Sequence, residues 1–429
     1  MTCVFLAACA AHFPVDDRAW VAKGERHPVV VLKRGKARLF REGNPIVFPG
    51  AIDSILGNQP ALGDPVVVAD GSRKPIAWGV YNPTSLYAVR VLQSEAAAVR
   101  CPDAILDPEA AIRNAVASAA SLRGVLGLGV QGSGTSVFRL INSEGDGLSG
   151  LTADVLGDVV VVSCTAAWLQ LRRPAVESAL RAVAAGDVVW RTNPDLLRQE
   201  GLEIGAGESE AEPGKVVEVE ENGVLYGAEP WGQKSGFYAD QRDNRAVVRS
   251  LARGREVLDV CCYSGGFALS AALGGAARAK GIDSSDQAIT LAASNAERNG
   301  VADRCTFERA EAAAYMDEAF ERGEQYDIVV LDPPKLAPNR KALDRARGKY
   351  VSLNRKAMRL VRPGGLLMTC SCSGAVAQGE GLEPMVRTAA EKEGRSLAVL
   401  REAGPGPDHP VDPSYPEGRY LSNLLVRVL

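Results

Sequence analysis

The strongest constraint on the fold is an alternation of apolar and helical segments from about residue 255 to the end of the chain. Seven segments have the length and apolar content of buried strands, and they cover residues 255–261, 278–283, 303–308, 326–331, 365–371, 396–401 and 420–428. Helical patterns fill most of the gaps between them. This alternation predicts a doubly wound α/β sheet. Ligands bind such sheets outside the carboxyl ends of the strands, so the residues after each strand are candidates for function.

The first two strands are followed by residues typical of a nucleotide-like ligand site. Asp259 lies in the first strand, and the turn after it holds Tyr263, Gly265, Gly266 and Phe267. Glycine in such a turn lets the backbone approach a ligand closely. Asp283 closes the second strand and is followed by Ser284, at a place where an acid binds ribose hydroxyls. The pattern differs from G-x-G-x-x-G, and we interpret this ordered set as a site for S-adenosylmethionine.

The fourth strand is followed by Asp332-Pro333-Pro334-Lys335. Successive prolines fix φ and remove backbone donors, which makes a stiff loop. We expect this loop to hold a flat base, with Asp332 accepting hydrogen bonds from its amino group and ring nitrogen. Enzymes that methylate exocyclic amines usually have an aromatic residue after the prolines, where this chain has Lys335, so that reaction is disfavoured. A turn without a catalytic role is the alternative.

Cys372, at the end of the fifth strand, is the candidate nucleophile. C5 of cytosine is a poor nucleophile. A thiolate that adds to C6 gives C5 enamine character, and C5 then accepts a methyl group from a sulfonium. Cys370 lies two residues earlier on the same face of the strand and is the rival nucleophile. A buried structural role is the alternative for any single cysteine.

The rest of the chain predicts two further domains. Short strands at residues 29–32, 46–48, 65–68, 76–80 and 86–91, separated by turns, predict a small β-barrel over residues 28–98. A mixed α/β domain over residues 99–235 follows, and the cofactor domain covers residues 236–429. In the middle domain we expect a helix at 107–125 starting at Asp107-Pro108, strands at 159–162 and 188–190, a helix at 168–185 and a mobile loop over 201–214. Asn222-Gly223 predicts a two-residue hairpin turn.

Composition restricts the functional classes. Nine irregularly spaced cysteines and three histidines argue against a metal site. No run approaches the ~20 apolar residues of a membrane span. We interpret the thiols as reduced and the chain as cytosolic or, in a eukaryote, as a protein of an organelle matrix. The oligomeric state stays open, with a homodimer among the alternatives.

Charge is unevenly distributed along the chain. Residues 28–94 carry a net charge of +4, residues 339–362 carry +8, and residues 200–221 carry −7. A basic segment beside a catalytic loop attracts phosphates. A solvated helix face is the alternative for residues 339–362, and the acidic stretch has no assigned role.

Several segments in order resemble the PUA-containing class I methyltransferases that form 5-methylcytosine in large-subunit ribosomal RNA. The likeness runs from about residue 29 to the end. Its segments are residues 31–35 and 46–51, Glu144-Gly145-Asp146-Gly147-Leu148-Ser149-Gly150-Leu151, Gly232-Gln233-Lys234-Ser235-Gly236-Phe237-Tyr238, residues 240–245, the Asp332 loop, Ser371-Cys372-Ser373-Gly374 and Tyr415-Pro416-Glu417-Gly418.

This resemblance implies an RNA cytosine-5 methyltransferase. It implies a PUA-like barrel that binds structured ribosomal RNA and a Rossmann-like domain that binds S-adenosylmethionine, with Cys372 as the nucleophile. Glu311 stands where the family often has an aspartate that contacts adenine, which makes that contact less certain. Two alternatives remain open: another ribosomal RNA base methyltransferase, such as a guanine-N7 enzyme in which Cys372 is structural, and a non-catalytic RNA-binding assembly factor.

Overall fold

The computed structural model describes residues 27–129, 132–203, 215–231 and 236–429. The lead-in before residue 27, residues 204–214 of the predicted mobile loop and Gly232-Gln233-Lys234-Ser235 lie outside the described residues. The chain divides into two compact units. The first comprises the chain up to Asn114 together with Ala167–Ala175 and Asp195–Glu203, and the second comprises the remainder.

The first unit is built on a six-stranded sheet with the order β2-β6-β5-β4-β1-β3. Its strands are β1 (Val29–Leu32), β2 (Ile46–Val47), β3 (Ile52–Leu56), β4 (Pro65–Ala69), β5 (Pro75–Tyr81) and β6 (Val89–Ser94). The five predicted strands are confirmed. The sequence did not predict β3, because Asp53 and Ser54 interrupt its apolar pattern.

A buried ion pair stabilises this unit. Arg90 donates to Glu200 at 3.0 Å, and both side chains are less than a tenth exposed. The Glu200 carboxylate also accepts hydrogen bonds from Asn82 and Ser85. A buried charge is tolerated when it is paired and hydrogen-bonded in this way.

The second unit contains a four-stranded sheet with the order β10-β9-β8-β7, and a separate hairpin. The strands are β7 (Val137–Asn142), β8 (Leu151–Leu156), β9 (Val159–Cys164), β10 (Asp187–Thr192), β11 (Val217–Glu221) and β12 (Val224–Ala228). The predicted hairpin turn is confirmed, since Asn222 and Gly223 both have positive φ, at 50° and 76°, as a type I′ turn requires.

A seven-stranded sheet with the order β15-β14-β13-β16-β17-β19-β18 completes the second unit. Its strands are β13 (Glu256–Val260), β14 (Arg278–Asp283), β15 (Cys305–Arg309), β16 (Tyr326–Leu331), β17 (Val361–Ser371), β18 (Leu397–Ala403) and β19 (Ser422–Val428). The first five strands are parallel, and β19 is antiparallel to both β17 and β18. Apolar clusters cover both faces of this sheet. The predicted doubly wound sheet is therefore confirmed.

The helices have the following bounds: α1 (Ala37–Arg41), α2 (Glu95–Arg100), α3 (Pro108–Val125), α4 (Ala167–Gln170), α5 (Arg173–Val183), α6 (Pro194–Gln199), α7 (Arg242–Leu251), α8 (Gly266–Leu273), α9 (Asp286–Arg298), α10 (Ala312–Glu321), α11 (Leu343–Arg359), α12 (Gly374–Ala377) and α13 (Glu383–Lys392). Asp107 caps α3 as predicted, accepting from two backbone N–H groups at 3.0 Å. Within the described residues, no helix combines the length and apolar content needed to cross a membrane.

The prediction of one helix over residues 168–185 was wrong. The segment forms α4 and α5, and Pro174 lies in the first turn of α5. Proline has no backbone N–H and its ring clashes with the carbonyl four residues earlier, so a helix restarts at this position rather than passing through it.

Candidate active site

The turn between β13 and α8 is held by hydrogen bonds to two aspartates. Asp259 is fully buried and accepts from the backbone N–H of Ala268 at 3.0 Å. Burial raises its pKa to about 7, against the lowering effect of that N–H group. Asp283 accepts from the backbone N–H of Tyr263 and from that of Ser285, each at 3.0 Å. Asp259, in β13, and Asp283, at the end of β14, thus fix the conformation of the turn through these hydrogen bonds.

The conformation of the turn brings its backbone close to the sheet. Cys261 and Tyr263 have positive φ values of 66° and 49°. Gly265 has a φ of 83°, and a Cβ there would lie 2.6 Å from the ring of Phe307. Glycine is therefore required at this position both by backbone conformation and by space. Gly266 begins α8, whose first N–H groups point toward the carboxyl end of β13.

The other predicted cofactor contacts differ in accessibility. Ser284 is exposed just beyond β14. The ring of Phe267 is 4% exposed and packs in the apolar core. Glu311 is exposed and caps α10, accepting from the backbone N–H of Ala314 at 2.9 Å. The assignment of these residues as cofactor contacts remains a prediction.

Asp332 lies at the carboxyl end of β16, next to the β13 turn. Its backbone N–H donates to Val260 at 3.1 Å, and its carboxylate accepts from the side-chain amide of Gln241 at 3.1 Å. Gln241 accepts in turn from Asn244 at 2.6 Å, and Asn244 accepts from Arg401 at 2.6 Å. This chain of side chains holds one carboxylate oxygen in a defined direction.

Cys372 lies directly after β17, in a loop that is tied to the Asp332 loop. The hydroxyl of the buried Tyr350, on α11, is 2.7 Å from the hydroxyl of Ser371 and 2.9 Å from that of Ser373. Ser373 also accepts from the backbone N–H of Ala337, beyond the two prolines, at 3.1 Å. Tyr350 therefore fixes the residues on both sides of Cys372 and, through Ser373, the loop that carries Asp332.

Cys370 has a different environment from Cys372. It is fully buried, and its thiol accepts from the side-chain amide of Asn423 at 3.1 Å. Burial raises its pKa well above the ordinary value, and the nearby Asp332 carboxylate raises it further. Cys372 is partly exposed. Because the thiolate is the reactive form and must also be reached, this contrast favours Cys372 over its rival.

Tyr238 lies beside both loops. Its ring meets that of Tyr263 edge to face, with centroids 5.1 Å apart. Burial raises the pKa of Tyr238, and so do the carboxylate of Asp240 and the nearby groups of Cys372 and Asp332. The carbonyl of Tyr238 accepts from the buried Arg245 at 2.7 Å. The segment before α7 thus forms a wall of the same site.

The residues present suit S-adenosylmethionine. A glycine turn, a buried oxygen of Asp259 that has no hydrogen-bond partner among the described residues, and the partly exposed Asp283 lie together at the carboxyl edge of β13 and β14. Backbone N–H groups and acids bind a nucleoside at such an edge. Bound there, the cofactor supplies an electrophilic methyl group.

The sequence did not identify Gln241 or Tyr350 as site residues. Gln241 fell within a recognised segment, whereas no local pattern marked Tyr350.

Family comparisons agree with this architecture. Residues 30–94 match a family described as "PUA-like domain", and residues 251–402 match one described as "Methyltransferase domain". The fold and the site therefore define a class I, S-adenosylmethionine-dependent methyltransferase with an N-terminal PUA-like domain, as predicted.

Curated relatives give the particular family. "Ribosomal RNA large subunit methyltransferase I" of Photobacterium profundum is 35% identical over 92% of this chain and 98% of its own length. The protein of the same name from Escherichia coli is 31% identical over 93% of this chain and 99% of its own length. This chain belongs to the ribosomal RNA large subunit methyltransferase I family.

Solved structures share the same fold. SMU.776, a methyltransferase solved in complex with SAH, superimposes with a TM-score of 0.76 over 93% of this chain and 99% of its own length. A SAM-dependent methyltransferase from Streptococcus mutans gives a TM-score of 0.74 over the same shares. Both are 17% identical to this chain, so the likeness concerns the fold.

Proposed function

We propose that this protein forms 5-methylcytosine in large-subunit ribosomal RNA, with Cys372 as the nucleophile. The observation that carries the proposal is the placement of a partly exposed cysteine and an oriented carboxylate at the ends of the adjacent strands β17 and β16. The alternative thiol, Cys370, is buried. The names of the curated relatives support the class of RNA.

The covalent steps balance without a further reactant. The Cys372 thiolate would add to C6 of the target cytosine, and the electron pair displaced toward C5 would bond to the methyl group as the bond from that group to the sulfonium sulfur of S-adenosylmethionine breaks and S-adenosylhomocysteine leaves. Loss of the C5 proton to a base and departure of the thiolate then restore the aromatic ring. No metal or redox partner is needed for this sequence.

Asp332 and Gln241 orient the base in this proposal. One oxygen of Asp332 accepts from Gln241, which leaves lone pairs on the carboxylate for the cytosine amino group or a protonated ring nitrogen. Pro333 is buried and Pro334 is exposed, so the first proline anchors the loop and the second lies against solvent. The rigid loop presents the carboxylate to a flat ring.

The basic segment beside this loop supports an RNA substrate. Its second half is paired within the protein: Arg355 and Arg359 contact Glu393, Lys356 contacts Asp317, and Arg362 contacts Asp327. The first half is different. Four of its cations are exposed and form no ion pair with any other described residue, namely Arg340, Lys341, Arg345 and Lys349. Unpaired cations next to a catalytic loop are suited to bind phosphates.

The decisive experiment compares two variants in which one cysteine is replaced by serine. Cys372→Ser should bind cofactor and RNA but form no product, because a hydroxyl is far less ionised than a thiol at neutral pH. Cys370→Ser, the matched control, should retain activity. Product is measured by nucleoside mass spectrometry on unmethylated large-subunit ribosomal RNA.

A second measurement tests the covalent step directly. With 5-fluorocytosine at the target, wild type should form a stable adduct, since fluorine blocks proton loss from C5, and peptide mapping should place it on Cys372. An adduct on Cys370 would exchange the two roles. Full activity in both variants without any adduct would exclude cytosine-5 chemistry and favour a guanine-N7 product.

A cytoplasmic location and a homodimer remain predictions.

A further inference from the structure

A cavity of about 740 Å³ lies beside the candidate active site, within the second unit. One wall is a face of the four-stranded sheet, to which each strand contributes: Arg139 from β7, Thr152 and Asp154 from β8, Ser163 from β9, and Arg191 and Thr192 from β10. The opposite wall contains the segment from Phe237 to Asp240 together with His409 and Tyr420. Asp240 in that wall directly precedes Gln241, whose side-chain amide donates to Asp332 at 3.1 Å. The cavity is therefore next to the place where the target base would lie.

Several polar side chains on the walls of this cavity have partners among the described residues. Arg139 donates to Asp154 at 2.6 Å and to Asn142 at 2.8 Å. Asp240 accepts from the hydroxyl of Tyr420 at 2.9 Å. These contacts pair Arg139 with Asp154, whereas Asp240 keeps its Oδ1 atom buried without a hydrogen-bond partner among the described residues.

Arg191 is the cation of this cavity that has no counter-ion among the described residues. It is partly buried, its Nη1 atom is buried without a hydrogen-bond partner among the described residues, and none of those residues forms an ion pair with it. Burial lowers its pKa, and the nearby Tyr263 opposes this shift. The hydroxyl of the neighbouring Thr192 is also buried without a described partner. A desolvated guanidinium without a counter-ion is unfavourable unless an anion binds to it.

Building on the proposed function, we infer that Arg191 binds a backbone phosphate of the substrate RNA, next to the target nucleotide. A guanidinium forms two parallel hydrogen bonds to phosphate oxygens. The cavity is much larger than the volume that a single carboxylate ligand would fill. The rings of Tyr238 and Tyr420 in its walls are suited to pack against the sugar and base of an adjoining nucleotide. Arg191 also lies near the β13 turn, which carries Tyr263. The carboxylate of the cofactor is therefore the second anion that the experiment must test.

The test uses the full-length protein and three variants. Arg191→Gln removes the charge, Arg191→Lys keeps the charge without the planar fork, and Arg181→Gln removes the charge of an exposed arginine on α5 that does not line the cavity. Binding to unmethylated large-subunit ribosomal RNA is measured over a range of salt concentrations. Steady-state kinetics and calorimetry with S-adenosylhomocysteine complete the set, and circular dichroism verifies folding.

Arg191→Gln should raise KM for RNA roughly tenfold and reduce the slope of log K against log salt by about 1. Its kcat and its affinity for S-adenosylhomocysteine should stay at the wild-type values. Arg191→Lys should recover part of the loss, and Arg181→Gln should match wild type. A methylphosphonate next to the target should weaken binding to wild type but not to Arg191→Gln.

Two results would overturn the inference. One is RNA binding by Arg191→Gln that equals that of Arg181→Gln. The other is a loss of S-adenosylhomocysteine affinity with unchanged RNA binding, which would assign Arg191 to the cofactor carboxylate. If wild type methylates another base, the RNA measurements still test Arg191 while the cytosine-5 proposal fails. A wild-type protein that binds no ribosomal RNA would overturn both.

Discussion

Tyr350→Phe should separate the stability of the site from its chemistry. The substitution removes one hydroxyl and with it two buried hydrogen bonds, of 2.7 Å to Ser371 and 2.9 Å to Ser373. Each contributes about 1 kcal/mol net, and a serine hydroxyl left without a partner would cost more. Both serines keep one other bond, because Ser373 accepts from Ala337 and Ser371 accepts from the Ser373 backbone. We therefore expect a loss of about 1–3 kcal/mol in the free energy of unfolding.

The effect on catalysis should exceed a uniform loss of stability. Tyr350 links the loops that carry Asp332 and Cys372, and a misplacement of about 1 Å between reacting groups costs up to about a hundredfold in rate. We expect kcat to fall roughly tenfold or more under conditions where the variant is fully folded. Affinity for S-adenosylhomocysteine should change little, since the hydroxyl that is removed bonds to Ser371 and Ser373 and not to the backbone of the β13 turn.

Urea unfolding and single-turnover kinetics measure the two effects. Tyr87→Phe is the matched control, since it removes the same atom from a half-buried ring whose hydroxyl has no hydrogen-bond partner among the described residues. It should leave both quantities within about 0.5 kcal/mol and a factor of two of wild type. A Tyr350→Phe protein as stable and as active as this control would refute the positioning role.

Two further predictions concern the cofactor side of the site. Asp283→Ala should weaken binding of S-adenosylhomocysteine by about 1–3 kcal/mol in calorimetry. The β13 turn loses the hydrogen bond from Tyr263, the loop after β14 loses the one from Ser285, and the ribose loses its acceptor. Binding at wild-type strength would place the ribose elsewhere. Asp259 has a folded-state pKa of about 7, above its unfolded value, so its contribution to stability is present at low pH and is lost as pH rises from about 4 to 7. Asp259→Asn should remove that part of the pH dependence of the free energy of unfolding, measured by denaturation from pH 4 to 8. Parallel curves of this free energy against pH for the two proteins would show that Asp259 does not titrate in this range.

Local patterns in the sequence were sufficient to predict most secondary structure and the edge of the sheet where the candidate site lies. Strand periodicity, the cap at Asp107 and the turn at Asn222-Gly223 each depend on a few neighbouring residues, and the structure confirms them. The parallel order then places the ends of β13, β14, β16 and β17 at one edge. The same reasoning failed at residues 168–185 and at β3, where a proline and a polar pair altered the pattern.

Only the tertiary structure distinguished Cys370 from Cys372. Both cysteines follow the same apolar run, but one packs against Asn423 from a strand 53 residues away and the other lies beyond the strand end. The partners of Asp332 and Tyr350 are likewise distant in sequence, with Gln241 91 residues from the carboxylate it orients. The unpaired state of Arg191 also depends on which groups the folded walls bring near it. Burial and pairing are properties of the packed chain, since each is set by residues that meet only after long loops close, and no local pattern encodes them.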